Sequence, residues 1–179
     1  MNQESFTVSS PKDPAIAIKV TPGHFATSSS HVSHYLDMTS LKTRASVAKE
    51  VARELAVAYL SSRDVNTIVC MENTEIIGAY LAEELLQEGI MVMNSGGDIH
   101  VMTPINATGG QLIFQRNERK RIQDQRVLLL VASVSSGNSA SRALDCISYY
   151  GGELVGISAL FSAIRTIRNQ VINAIFTDE

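Results

Sequence analysis

A group of hydroxyl-bearing residues directly follows an aliphatic run in residues 127–140, VLLLVASVSSGNSA. The run predicts a buried strand, and the spacing of apolar residues after the loop predicts a helix. The loop offers three hydroxyl groups and two positions that readily adopt positive φ: Ser135, Ser136 and Ser139, then Gly137 and Asn138. Inward-turned N–H groups and the positive end of the helix dipole would suit a phosphate monoester. The alternative is an ordinary strand–helix loop whose serines cap the helix.

Composition limits the class of protein. The chain has 179 residues, of which 45% are hydrophobic, and this suits one folded domain. A formal net charge of -3 argues against a nucleic-acid partner, whose binding surface is basic. We find no apolar run of membrane-spanning length and no signal peptide, so we expect a cytoplasmic protein without a membrane partner. Cys70 and Cys146 lie in apolar surroundings and predict buried thiols in a reducing compartment.

The elements around the loop predict an α/β fold, a parallel sheet with helices on both faces. Short aliphatic strands are expected at 66–71, 90–93, 127–132 and 153–161, and amphipathic helices at 41–60, 75–88 and 139–150, with Thr39 or Ser40 capping the first helix and a short helix near 164–169. Residues 1–22 are expected to be an N-terminal arm. Residues 23–179 are expected to be a single domain that begins with a polar hairpin at 23–38. The given sequence ends in "FTDE" without a clear stop signal, so the natural chain is expected to extend past Glu179.

The order of these elements and the loop at 135–139 resemble the type I phosphoribosyltransferase family, and most closely its orotate phosphoribosyltransferase branch. The family signature is an aliphatic strand, two acidic residues, two further residues and T-T-G-G-S/T. Aligned without gaps, residues 135–139 match the part that binds the 5-phosphate of phosphoribosyl pyrophosphate (PRPP). The acidic pair is replaced by Val131 and Ala132, so the signature is degenerate and the catalytic residues stay unknown.

Other family segments are matched in part. The resemblance assigns the pyrophosphate loop to Glu72, Asn73, Thr74 and Glu75, where two carboxylates would repel an anion or interact with the helix dipole. It assigns residues 23–38 to a small hood near the base, with candidate contacts at Phe25, Ser28, His31 and His34; Ser28 stands where the family has lysine. The family's basic mobile lid corresponds to residues 94–110, which hold His100 and neither lysine nor arginine. No histidine or cysteine spacing predicts a metal site.

The resemblance implies phosphoribosyl transfer from PRPP to a pyrimidine-like base such as orotate, with Mg2+ carried by PRPP and a homodimeric assembly. Loss of both carboxylates makes catalysis doubtful, because the reaction depends on stabilising charge around a loosening C–O bond. The alternative is a non-catalytic sensor or partner subunit that binds PRPP or a nucleotide. In both cases the expected partner is a small phosphoribosyl or nucleotide ligand.

Overall fold

The computed structural model describes residues 4–26, 31–61, 65–87 and 97–178. Its strands and helices, in chain order, are β1 (Phe6–Ser9), β2 (Ala17–Ala26), β3 (His31–Asp37), α1 (Thr39–Thr43), α2 (Ala45–Ala56), β4 (Thr67–Cys70), α3 (Glu75–Gln87), β5 (His100–Met102), β6 (Ile105–Asn106), β7 (Leu112–Ile113), β8 (Arg126–Val134), α4 (Asn138–Tyr149), β9 (Glu153–Ser162), β10 (Thr166–Ile167) and β11 (Gln170–Thr177).

The main sheet has six strands in the order β10-β11-β9-β8-β4-β5. Its pairings are parallel except for that between β10 and β11. Side chains of β8 alternate between two hydrophobic clusters, since successive residues of a strand point to opposite faces. Leu128 and Leu130 pack on the face covered by α2 and α3, whereas Leu129 packs on the face covered by α4. The predicted fold class, a parallel sheet with helices on both faces, is confirmed.

A three-stranded antiparallel sheet, β1-β2-β3, precedes the main sheet in the chain. The predicted hairpin is present, but its first strand begins at Ala17, so the expected boundary at residue 22 falls inside β2. The segment expected to be an arm therefore includes β1 and the first six residues of β2. The predicted turn serines, 28–30, and the predicted strand at 90–93 lie outside the described residues.

Three local predictions need correction. The expected helix at 41–60 is divided by Arg44, whose ψ of 110° is extended, and neither Thr39 nor Ser40 caps α1 with its side chain. The expected helix at 164–169 is a tight hairpin between β10 and β11. Arg168 and Asn169 have φ values of 48° and 64°, which give the two-residue turn that suits a right-twisted hairpin.

A cluster of hydrogen-bonded polar side chains, Tyr59, Ser158 and Asn173, joins distant parts of the chain at β9 and β11. The Tyr59 hydroxyl lies 2.8 Å from the Ser158 hydroxyl. Asn173 Nδ2 donates to Ser158 Oγ at 3.3 Å and to the Leu55 carbonyl at 3.1 Å. The Tyr59 ring fits against Gly156, where a Cβ atom would lie 2.5 Å from its Cε1. These polar atoms satisfy one another inside an otherwise apolar interior.

The segment expected to act as a lid contributes to ordinary strands where it is described. His100 begins β5 and is paired with Thr67, the first residue of β4. This places His100 at the amino edge of the sheet. Residues 105–113 form a small hairpin of β6 and β7.

Candidate phosphate-binding site

Two loops meet at the carboxyl edge of the main sheet. One follows β4 at residues 71–74, and the other follows β8 at residues 135–137. Since β4 and β8 are adjacent parallel strands, with Cys70 opposite Leu130, both loops leave the sheet on the same side. Ligands of open parallel sheets bind at this edge.

The loop after β8 leaves the start of α4 open. Gly137 is the N-cap residue of α4, with φ 84°, and no side chain among the described residues caps this helix end. Ser135, Ser136, Asn138 and Ser139 are exposed. The interpretation that serines cap the helix is therefore wrong, and the first N–H groups of α4 have no side-chain acceptor among the described residues. This is the arrangement that binds phosphate at helix N-termini.

In the loop after β4, the side chain of Glu72 bonds the backbone of β8. Glu72 and Asn73 have φ values of 58° and 63°, an uncommon conformation for residues other than glycine. This turn directs the Glu72 carboxylate towards the end of β8, where Oε2 accepts hydrogen bonds from the N–H groups of Ala132 at 2.9 Å and Ser133 at 3.0 Å. Bonds to a charged acceptor are among the stronger protein hydrogen bonds, so they tie the two loops together.

The remaining residues of this loop contribute to structure. Thr74 is fully buried, and its hydroxyl donates to the carbonyls of Met71 at 2.8 Å and Leu130 at 3.3 Å. Glu75 begins α3 and accepts a hydrogen bond from the Thr103 hydroxyl at 3.0 Å. Glu72 and Asn73 are the exposed members of the expected pyrophosphate loop.

Solved structures of similar shape place this architecture among known proteins. No protein-family model matches the sequence, and no curated protein matches it significantly. The UMP synthase of Leishmania donovani superposes with a TM-score of 0.64 at 18% identity over 89% of this chain, which spans 33% of that chain. The adenine phosphoribosyltransferase of Rhodothermus marinus gives 0.58 at 14% identity, covering 97% of this chain and 93% of that chain. The orotate phosphoribosyltransferase of Mycobacterium tuberculosis in complex with PRPP gives 0.53 at 14% identity, covering 80% of each chain.

The chain has the type I phosphoribosyltransferase fold. At these identities the likeness concerns the fold, and the activity has to be argued from the residues.

The positions that the resemblance assigns to the acidic pair lie in the interior of this phosphoribosyltransferase fold. Val131 is 2% exposed and packs in the cluster under α4. Ala132 is 3% exposed and packs in the cluster under α2 and α3. Neither side chain can contact a ligand at the carboxyl edge. The carboxylate at the end of β8 belongs instead to Glu72.

The hood residues are divided by the geometry of β3. His31 and His34 are three positions apart on a regular strand, so their side chains point to opposite faces. Both are exposed, and His34 Nδ1 lies 2.9 Å from Ser33 Oγ. Phe25 stacks at a tilt against Tyr35, with ring centroids 5.7 Å apart. Ser28 lies outside the described residues. A single face of β3 can therefore present one of the two histidines to a base.

The structure reveals a cation that sequence reasoning missed. Lys42 on α1 donates from Nζ to the Glu72 carbonyl at 3.2 Å, so it lies beside the loop after β4. Asp37 ends β3 and accepts the Thr39 N–H at 3.0 Å. This bond, the Thr39 hydroxyl and the charges of Lys19 and Lys42 lower the pKa of Asp37. The helical spacing of apolar residues in 41–60 gave no indication that Lys42 contacts residue 72.

The thiols fit a structural role. Burial raises the pKa of the Cys70 thiol from 9.0 to about 12 and that of Cys146 to about 11. Both thiols are therefore protonated at neutral pH and are poor nucleophiles. Within the described ranges no group of three or more histidine, cysteine or acidic residues is arranged to hold a metal ion. None of the helices described is both long enough and apolar enough to cross a bilayer.

Proposed function

We propose that residues 135–139 bind the 5-phosphate of a phosphorylated ribose, as in ribose 5-phosphate, a nucleotide or PRPP, and that the protein binds this ligand without catalysing phosphoribosyl transfer. The open start of α4 carries the proposal: Gly137 caps the helix without a side-chain acceptor, and the serines on both sides of it in the chain are exposed. A phosphate monoester would accept hydrogen bonds from these groups and interact favourably with the helix dipole.

The burial of Val131 and Ala132 supports a non-catalytic role. Phosphoribosyl transfer passes through a state in which positive charge develops on the sugar, and preorganised charge is the main way in which proteins lower such a barrier. Two apolar side chains packed in the interior supply none. The protein would then act as a metabolite sensor or as a partner subunit of an active enzyme.

A second function is favoured by one observation. The Glu72 carboxylate lies within hydrogen-bond distance of Ala132 N, so a carboxylate is present at the end of β8 although the strand itself has none. If this group stabilised the sugar, the protein would transfer phosphoribose from PRPP to orotate or a related base. Mg2+ would then be carried by the pyrophosphate group, since the described residues offer no cluster of ligands for it.

Assembly and location follow the same proposal. We propose a homodimer in the cytoplasm, because the family resemblance implies paired subunits and two buried thiols suit a reducing compartment. Light scattering on the purified chain tests the dimer, which predicts twice the mass of 19.4 kDa.

Calorimetric titration with ribose 5-phosphate tests the phosphate site. We expect saturable binding in the wild type and at least tenfold weaker binding in Ser136→Asp, because a carboxylate beside the phosphate repels it. Ser148→Asp is the matched control, since Ser148 is an exposed serine near the other end of α4. Equal loss in both variants, or no binding in folded wild type, would contradict the phosphate site.

An assay of pyrophosphate release from PRPP separates the two functions. With orotate, uracil and adenine as acceptors, the non-catalytic proposal expects no release above the background rate. Release that depends on an added base, and that disappears in Ser136→Asp, would establish transfer instead.

A further inference from the structure

We propose that Glu72 determines the specificity of this site, and that its carboxylate restricts the site to ligands with one phosphate group and disfavours a second, pyrophosphate group at the other end of the ribose. This inference rests on the proposed 5-phosphate site at residues 135–139. It concerns what the neighbouring loop admits once that phosphate is bound.

Two backbone N–H groups near the end of β8 already have an acceptor. A single oxygen, Glu72 Oε2, accepts the N–H groups of Ala132 and Ser133 at 2.9 Å and 3.0 Å. Both N–H groups lie in the last three residues of β8, in the part that extends beyond its pairing with β4. An arriving phosphate would have to displace a carboxylate that is covalently part of the protein and is held by two charge-assisted bonds.

The turn at residues 72–73 holds the Glu72 carboxylate in place. Glu72 and Asn73 both have left-handed backbone conformations, and the next residue, Thr74, is fixed from below by its bonds to Met71 O and Leu130 O. Lys42 Nζ also binds the Glu72 carbonyl from α1. The backbone on both sides of the carboxylate is therefore anchored, so moving Glu72 aside would require this turn to rearrange.

The charged groups around the loop after β4 are negative in sum. The groups identified there are the carboxylates of Glu72 and Glu75 and the ammonium group of Lys42. They sum to a formal charge of -1 at neutral pH. The sugar hydroxyl end of ribose 5-phosphate is uncharged and meets no repulsion there, whereas the pyrophosphate end of PRPP is strongly anionic. At surface distances each added like-charge contact changes affinity by about tenfold.

The decisive experiment compares two ligands in two proteins. Calorimetric titrations with ribose 5-phosphate and with PRPP plus Mg2+ are made on wild type and Glu72→Gln at low, matched ionic strength. Glutamine keeps an acceptor oxygen for the two N–H groups and removes the charge. We expect wild type to bind ribose 5-phosphate more tightly than PRPP. In Glu72→Gln we expect PRPP to bind about tenfold more tightly, with the affinity for ribose 5-phosphate changed much less.

Glu118→Gln is the matched control. Its carboxylate also accepts a backbone N–H, that of Gln115 at 3.0 Å. It precedes the segment whose Arg121 carbonyl is bound by Thr67, so it lies near the amino edge of the sheet, away from both loops. The same loss of one charge there should leave the ratio of the two affinities unchanged.

A salt series on wild type repeats the test without a substitution. Because exposed charges are screened over about 10 Å at 0.1 M salt, the preference for ribose 5-phosphate over PRPP should shrink as salt is raised.

The outcomes separate the two proposals. If wild type binds ribose 5-phosphate but PRPP binds equally well or better, the role of Glu72 is overturned and the phosphate site stands. An unchanged affinity ratio in folded Glu72→Gln has the same meaning. If folded wild type binds neither ligand, the phosphate site is overturned, and the role of Glu72 with it.

Discussion

The loops after β4 and β8 lie side by side at one edge of the sheet, and each leads into a helix of similar length, yet they use their polar residues in opposite ways. The loop after β4 buries the Thr74 hydroxyl and directs the exposed Glu72 carboxylate onto β8, so both side chains bond backbone groups of the protein itself. The loop after β8 keeps its serines exposed and leaves the helix start without a side-chain cap. A polar loop is therefore available to a ligand where its side chains face solvent, and not where they already bond the protein itself.

The largest effect is expected from placing the family's acidic pair on β8. Val131→Glu with Ala132→Asp puts two carboxylates into opposite hydrophobic clusters. An unpaired buried charge costs about 3 kcal/mol or more, so we expect the double variant to be largely unfolded. Urea denaturation followed by circular dichroism measures the loss.

Ser135→Glu is the control for that variant, because Ser135 is exposed on the neighbouring loop and should tolerate the charge. A stable double variant that also gains transferase activity would show that the end of β8 opens to a ligand more readily than the packing indicates.

The second prediction compares a hydroxyl from each loop. Thr74→Val removes a donor that serves two carbonyls in a fully buried position, and we expect the free energy of unfolding to fall by about 2 kcal/mol. Ser139→Ala, on the exposed side of α4, should change it by less than about 0.5 kcal/mol. Equal effects in thermal unfolding would remove the distinction between an inward and an outward loop.

The third prediction concerns the turn that opens α4. Gly137→Ala forces a side chain into a conformation with φ 84° and brings its Cβ to 3.3 Å from Ile164 Cδ1. We expect a loss of about 1–2 kcal/mol of stability, together with weaker binding of ribose 5-phosphate. Gly109→Ala shares the strain, with φ 83°, but meets nothing within 4 Å. Its stability loss should be smaller, and its ligand affinity should be that of wild type.

The smallest effect is the pH dependence of stability that comes from Cys70, the last residue of β4. Because the pKa of Cys70 is raised to about 12, the folded state keeps a neutral thiol while the unfolded chain ionises near 9.0. Stability from this group is complete below pH 9 and is lost as pH rises towards 12. At pH 10 the loss is about 1 kcal/mol. Cys70→Ala should show a shallower fall in unfolding free energy between pH 8 and 10 than wild type; an identical slope would contradict the assignment.

The sequence was sufficient to predict the elements that bury regular patterns. Aliphatic runs predicted β4, β8 and β9, and helical spacing predicted α3 and α4 within two residues at each end where they are described. Positive φ values at residues other than glycine could not be predicted from the sequence. Arg168 and Asn169 turned an expected helix into a hairpin, and Glu72 with Asn73 directed a carboxylate onto β8. Burial of the hydroxyl of Thr74 likewise depends on the neighbouring strand, which local pattern does not contain.

The cluster of polar side chains around Ser158 affects the rate at which we expect the protein to unfold. Tyr59 and Ser158 are 99 positions apart, and Leu55 and Asn173 are 118 apart, so these bonds close very long loops. Contacts of such separation tend to form after the local parts of the sheet have assembled. Interactions made after the folding barrier slow unfolding without speeding folding. We therefore expect substitutions at this junction to change the unfolding rate more than the folding rate.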